Sequence, residues 1–500
     1  MTREGIEDLL AQATRLHQAG KFEAAIAAYE TIIAAGPADV ATQMFLAAAY
    51  RSAGRPDDAI AVYDAMAETD PQRADFWFNR GNALGDAGRR EEAIAAYQRS
   101  LELDPQGATA LANKAISEVA LGRFDDAADS YRRALAIDPA HRIALNNFGN
   151  LLVEQGHLAE AAACLRRAVS LAGDMPEEHY NLSHVLLRLG DFANGFREYE
   201  WRWKTGEFFE KPRYRDVADW TGQPLAGRRL IVHAEQGLGD TIQFAKLLAP
   251  LMSLGGDVVF HVPEKLERLL GTLSCPVTVT SAQRASDGDF QVALMSLPHR
   301  LKLTFGSVPS DAAFLSAEPA LATAWAERLG LGGQRPVIGF VWQGNPNSPA
   351  ERGRSLPSPE ILAPFSSLEG ARLMALQMLP AEALEPASTP SGWRVRGLSF
   401  TLEHPGPDMD RGRDAFVDTA AIMAGIDLFA SVCTAPLHVA GAIGCPSIAM
   451  LKVVPDWRWL LDRADTPWYP AMQLVRQQRG EDFSPLVARA VAAARSRLKI

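Results

Sequence analysis

The chain has 500 residues, 47% hydrophobic and 22% charged, which is too long for one ordinary core and predicts about two to four globular domains. Its net charge of −10 excludes broad binding to nucleic acid or to an anionic membrane, leaving room only for a local basic pocket. Four cysteines (Cys164, Cys275, Cys433, Cys445) lie far apart with no C-x-x-C pair and no histidine cluster beside them, so no metal site is expected and a reducing compartment is.

The first residues, MTREGIEDLL, are acidic and lack the apolar core of a signal peptide, so a cytoplasmic location is expected. A repeat follows. Gly20, Gly54, Gly88, Gly122, Gly156 and Gly190 recur every 34 residues. Ala25, Ala59, Ala93, Ala127 and Ala161 keep the same step, with Gly195 in the sixth unit, and so do Tyr29, Tyr63, Tyr97, Tyr131 and Tyr199, with Leu165 in the fifth. Pro37, Pro71, Pro105 and Pro139 close the first four units. Each unit predicts a helical hairpin: glycine turns the chain, the small residue lets two helices approach, the aromatic fills the gap and proline ends the second helix.

This pattern resembles the tetratricopeptide repeat, six units over residues 1–203. The resemblance implies an all-α superhelix whose inner face holds a partner peptide. Asn79, Asn113, Asn147 and Asn181 recur at the same step on the first helices of units three to six. A row of carboxamides can both donate to and accept from an extended backbone. It resembles the asparagine ladder of the eukaryotic protein O-GlcNAc transferase, although asparagine is also common at this position in such repeats.

Residues 204–228 are aromatic, charged and proline-bearing, and read as a docked connector. From residue 229 strand-like runs alternate with helical ones. RLIVHAE, DVVFHVP and FQVALMS predict strands, and DTIQFAKLLAPLMSL predicts a helix. A second set follows with PVIGFVWQG, RLMALQM, DLFASV and SIAMLKV. Two such sets predict two doubly wound, Rossmann-like α/β domains over residues 229–325 and 335–480, joined near Ala320 to Arg335, with a last helix over 481–500. Leu428 to Leu451 has no charged residue, but Pro436, Gly441, Gly444 and Pro446 divide it into strand, short helix and strand, so insertion in a membrane is not expected.

Ligands of such sheets bind beyond the carboxyl ends of the strands. Three loops qualify. In HAEQGLGDTIQFAKLL, Gly237 and Gly239 bring backbone close to a ligand, and Asp240 at the start of a helix suits either a cap or a base. In VWQGNPNSPAERGRSLP, Gln343, Asn345, Arg352 and Arg354 suit phosphate oxygens. In SVCTAPLHVAGAIGCPS, Thr434 caps a helix starting at Ala435, and His438 lies one turn in; this is an anion site by construction. Two D-x-D triplets, Asp287/Asp289 and Asp408/Asp410, are about as many as chance gives and assign no metal.

Together the GLGD loop, the GN…RS.P loop, the S-V-x-T-x-x-x-H-x-A-G-A-x-G-x-P block and PDWRWLLDRADTPWYP resemble glycosyltransferase family nine, the bacterial heptosyltransferases. The chain is most similar to bacterial glycosyltransferases that carry N-terminal tetratricopeptide repeats, some of which modify flagellin. The resemblance implies a GT-B pair of domains and an inverting, metal-independent transfer from a nucleotide sugar to a protein Ser or Thr, with no separate cofactor. Asp240 then matches the general base, Arg354 the cation on the donor phosphate, and Thr434, Ala435 and His438 the block around the donor's phosphates and ribose. Cys433 departs from the family, which has Asp before that threonine, and this leaves the donor's nucleotide and sugar open. A catalytically inactive scaffold and a transferase for a lipid-linked glycan are the rival readings.

Overall fold

The structure, a computed structural model, describes residues 2–36, 39–206, 214, 216–282, 288–345 and 353–500. The chain divides into two compact units, residues 1–178 and 179–500. In the first, hairpins follow one another: α1 (Arg3–Gln18) with α2 (Phe22–Ala34), α3 (Val40–Ser52) with α4 (Pro56–Thr69), α5 (Ala74–Asp86) with α6 (Arg90–Leu103), α7 (Ala108–Ala120) with α8 (Phe124–Ile137), and α9 (Arg142–Glu154) with α10 (Leu158–Ala172).

The repeating residues do what their chemistry predicts. The six glycines all have φ between 72° and 80°, and at Gly20, Gly54, Gly88 and Gly122 an added Cβ would meet nothing within 4 Å. Backbone hand, not crowding, therefore requires glycine there. Ala25, Ala59, Ala93, Ala127 and Ala161 are fully buried, and the tyrosines, with Leu165, fill the space beside them. Crowding acts elsewhere: a Cβ at Gly81 would lie 2.6 Å from the Tyr97 ring. Pro71, Pro105 and Pro139 follow the ends of α4, α6 and α8, whereas Pro37 lies outside the described residues.

The sixth hairpin is α11 (Pro176–Arg188) and α12 (Phe192–Tyr199). Leu187, Phe192, Phe196 and Tyr199 belong to the same buried core as the strand residues Leu230 and Val232 and the helix residue Phe244 of the α/β region. Burial of each large apolar side chain contributes about 1.5–3 kcal/mol. Just beyond, the fully buried Arg202 donates to both oxygens of Glu235 (3.2 and 2.8 Å) and to Ser296 Oγ (2.8 Å), and Glu235 also accepts the Met295 N–H at 2.9 Å. The periodicity places this hairpin with the other five; its packing places it with the α/β region.

Of the expected connector, residues 207–213 and 215 lie outside the described residues. The rest docks: Trp220 is buried, its Nε1 donates to Gln223 O at 2.8 Å, and β1 (Ala218–Asp219) pairs with the first sheet. That sheet is parallel, in the order β1-β5-β2-β3-β4, with β2 (Arg229–His233), β3 (Asp257–His261), β4 (Thr278–Thr280) and β5 (Phe290–Ala293). The single helix expected from Asp240 is α13 (Leu238–Phe244), a 3-10 turn, then α14 (Leu248–Met252), since Pro250 cannot extend an unbroken helix. α15 (Glu264–Leu270), α16 (Leu297–Arg300) and α17 (Pro319–Leu329) follow, the last filling the expected crossing.

The second sheet is also parallel, in the order β12-β11-β10-β6-β7, with β6 (Val337–Val341), β7 (Arg372–Ala375), β10 (Leu428–Val432), β11 (Ser447–Leu451) and β12 (Met472–Arg476). β8 (Leu384–Pro386) and β9 (Trp393–Val395) form an antiparallel hairpin. The helices are α18 (Val417–Met423), α19 (Ala435–Ala442) between β10 and β11, and α20 (Phe483–Leu498), whose Asp482 cap accepts the Ser484 N–H at 2.8 Å. The uncharged run from Leu428 is thus strand, helix, strand. Among the described residues no helix is long and apolar enough to cross a membrane. An all-α repeat region followed by an α/β region with two parallel sheets is the observed architecture.

Candidate functional site

Loops after β2, β6, β7, β10 and β11 line one cleft of about 810 Å³ within residues 179–500. Each leaves the carboxyl end of a parallel strand, where backbone N–H groups and helix starts face outward. Gly237, Gly239, Asp240, Gln343, Asn345, Arg354, Cys433, Thr434, Ala435 and His438 all line it. Arg352 lies outside the described residues.

On the first-sheet side, Gln236 has a left-handed φ of 62°, a strained setting for a residue with a Cβ. The turn it makes starts α13, and the Gly237 N–H donates to Asp240 Oδ2 at 3.0 Å. Gly239 is small for a reason the sequence does not reveal: a Cβ there would lie 3.0 Å from His438 Cδ2 and 3.5 Å from Ala435 Cα. It lets the start of α13 meet the start of α19 and so joins the two halves of the cleft.

The second oxygen of Asp240 accepts from Arg458 Nη2. Arg458 is buried, donates through Nη1 to Asp456 Oδ1 at 2.8 Å, and lies over the Trp457 ring at 4.3 Å. Its Nε is buried with no partner among the described residues. Burial pushes the Asp456 carboxyl up, but the Arg458 guanidinium and its backbone N–H outweigh this and hold it at about 2. Asp240 thus caps a helix and closes an ion pair in the same conformation, and proton transfer to it requires Arg458 to release or share that oxygen.

On the second-sheet side, Thr434 precedes α19 and turns its hydroxyl back to Val432 O (3.3 Å) and Ser431 Oγ (3.2 Å), while Pro436 occupies the first turn. His438 is buried, with Nδ1 at 2.9 Å from Tyr469 Oη and its ring stacked on Trp459. Burial, then the Arg458 and Arg354 guanidiniums, push it down to about 3, so at neutral pH it is an uncharged imidazole that either donates or accepts. Cys433 Sγ accepts from Trp459 Nε1 at 3.0 Å, and burial pushes the thiol up to about 11. It stays protonated at neutral pH and is no nucleophile. Gln343 N–H donates to Gln377 Oε1 at 3.1 Å, which pins the loop after β6.

Of the asparagine row, Asn79, Asn113 and Asn147 belong to the first unit and Asn181 to the second. Asn79 Nδ2 donates to Asp75 O of its own helix at 2.9 Å, and Asn113 Nδ2 to Asn82 Oδ1 at 2.8 Å, an oxygen that also accepts the Tyr97 hydroxyl. Asn147 Oδ1 accepts from Asn146 at 3.4 Å. Asn181 stands on α11, beside the cleft residue Tyr180. Of the D-x-D triplets, Asp287 lies outside the described residues; Asp410 accepts from Asp418 N–H at 3.0 Å and from the Thr419 hydroxyl, so it caps α18. Among the described residues no group of three or more His, Cys, Asp or Glu side chains is arranged to hold a metal ion.

Sequence reasoning missed Arg458 and Asp456, although an arginine between two tryptophans was a signal. It also missed Tyr180, His184 and Tyr199, cleft residues from the sixth hairpin, because the repeat pattern assigned them to a stack.

The tetratricopeptide repeat family matches residues 10–74, 78–142 and 118–182. Protein FlbA of Caulobacter vibrioides is 27% identical over 346 residues, 64% of this chain and 55% of that protein. That span exceeds the repeats, so the likeness includes part of the α/β region; the chain spans about half of that relative's length. Among solved structures, MamA is 26% identical with a TM-score of 0.30 over 32% of this chain and 94% of its own. A tetratricopeptide-repeat protein of Thermus thermophilus, TTC0263, is 19% identical with a TM-score of 0.32 over 36% and 99%. The chain is therefore a tetratricopeptide-repeat protein with an associated α/β region of two parallel sheets.

Proposed function

We propose that this chain is an inverting glycosyltransferase of GT-B architecture, needing no metal, that moves a sugar from a nucleotide donor to a Ser or Thr hydroxyl of a protein. The repeats select the acceptor, through Asn79, Asn113, Asn147 and Asn181, and flagellin is the candidate. The supporting observation is that one cleft gathers Gly237, Gly239 and Asp240 from the first sheet with Gln343, Asn345, Arg354, Thr434 and His438 from the second.

As the glycosidic bond breaks, the leaving phosphate gains charge. Arg354 and the N–H groups at the start of α19 offset it in a partly dry site. Asp240 takes the acceptor proton once its oxygen is freed from Arg458, and attack from the side opposite the leaving group inverts the anomeric centre. A second reading, a binding module without catalysis, is favoured by that same Asp240–Arg458 pair and by Cys433. Intact-mass analysis of flagellin co-expressed with the chain separates them. The wild type adds a sugar mass; Asp240→Asn lowers the modified fraction by about 10²–10⁴-fold while nucleotide affinity stays. Full modification with Asp240→Asn rules out the base.

A further inference from the structure

The wall of the cleft that the sixth hairpin supplies has no role in the transfer as described. His184 and Tyr180 sit one helical turn apart on α11, and Tyr199 ends α12. All three line the cleft with Gln236, Asp456, Trp457 and Arg458. The imidazole of His184 is held edge-on by both rings, at 4.6 Å from Tyr180 (78°) and 5.9 Å from Tyr199 (79°). Tyr199 Oη is fixed in turn by Gln236 Nε2 at 2.7 Å, and Arg188 Nε reaches Pro455 O at 3.3 Å. These bonds tie the wall to the loops after β2 and β11. Among the described residues no group hydrogen-bonds the His184 ring, which is half-buried and lines the cleft.

We propose that His184, walled by Tyr180 and Tyr199, is a subsite for the acceptor's hydroxyl-bearing side chain. This deepens the transferase reading and rests on it. An uncharged imidazole offers one donor and one acceptor, the pair a hydroxyl needs. Burial, then the Arg188 guanidinium, push His184 down to about 4, so it stays uncharged at neutral pH. Its charged neighbours include Asp456 and Arg458, and Arg458 donates to Asp240, so the subsite shares its charged surroundings with the proposed base. The phenol rings suit the uncharged backbone and small side chains flanking a Ser or Thr. A site that hydrogen-bonds a hydroxyl rejects the isostere lacking it, because its own polar group is then left unpaired.

Saturation-transfer NMR on the full chain tests this with N-acetyl-threonine N-methylamide against the isosteric N-acetyl-valine N-methylamide. The wild type should favour the threonine probe by about 2- to 10-fold, the ratio one net hydrogen bond gives. His184→Phe, which keeps a ring without nitrogens, should erase the preference, and His184→Leu serves where the phenylalanine variant does not melt cooperatively. Equal saturation of both probes by the wild type, or a preference that survives in a folded variant, overturns the subsite. No nucleotide is present and no bond is made. Failure here therefore leaves the Arg354 and Asp240 roles standing, and their failure would show in nucleotide binding or transfer instead.

Discussion

At Asp240 one carboxylate meets two demands: Gly237 N–H takes one oxygen and Arg458 the other. A carboxylate held by two donors has to release one of them before that oxygen can serve another group. His438 is uncharged because it is buried beside two guanidiniums. Its folded pKa of about 3 lies below the ordinary value of 6.5. The unfolded chain therefore gains a proton first as pH falls; the stability His438 contributes is complete above about 6.5 and is lost toward 3, by about 1.4 kcal/mol per pH unit. Between pH 7.5 and 5 the wild type should lose about 2 kcal/mol more than His438→Gln, read from urea midpoints of the unit spanning residues 179–500. Equal losses would mean that His438 is charged or exposed. Asp240, Thr434 and His438 were legible in the sequence because each sits in a local turn whose chemistry is visible over a few residues. Arg458 and His184 were not: Arg458 meets Asp240 across 218 residues of chain, and nothing local signals such a contact.

At the scale of elements the repeat was legible from spacing alone, and φ explains why its glycines recur. Gly88→Ala should lower the stability of the first unit by about 1–2 kcal/mol, since φ is 75° with space to spare. Gly36→Ala, where no atom lies within 4 Å and φ is not left-handed, should be near neutral. Thermal midpoints of the transition unfolding residues 1–178 compare them, and a harmless Gly88→Ala would refute the backbone account. The strands at β2, β3, β5, β6, β7, β10 and β11 were visible as apolar runs. β1, β4 and β12 were not, being edges, short or only partly buried, so hydrophobicity marks them weakly. The packing role of Gly239 was not legible either, because a close helix approach and a close ligand approach demand the same residue.

For the whole molecule the periodicity misleads about where the chain divides. Six units share one spacing, but the sixth packs its aromatic face into the α/β core. A chain beginning at residue 204 loses Leu187, Phe192, Phe196 and Tyr199, and leaves Glu235 buried without Arg202, a change of about 3–5 kcal/mol by itself. Together these approach or exceed the usual stability of a domain, about 5–15 kcal/mol, so such a chain should not melt cooperatively. One beginning at residue 174 should. A cooperative transition from the shorter chain by circular dichroism would contradict the shared core.

The central claim, a nucleotide-sugar cleft built from both sheets, is tested most directly by thermal unfolding of the full chain with uridine, guanosine, adenosine and cytidine mono- and diphosphates, repeated on Arg354→Ala. A nucleotide at 100 times its dissociation constant stabilises by about 2.7 kcal/mol. The account predicts a raised midpoint with one base, lost in the variant. No shift with any nucleotide would contradict it and leave the repeats as the working part of the protein.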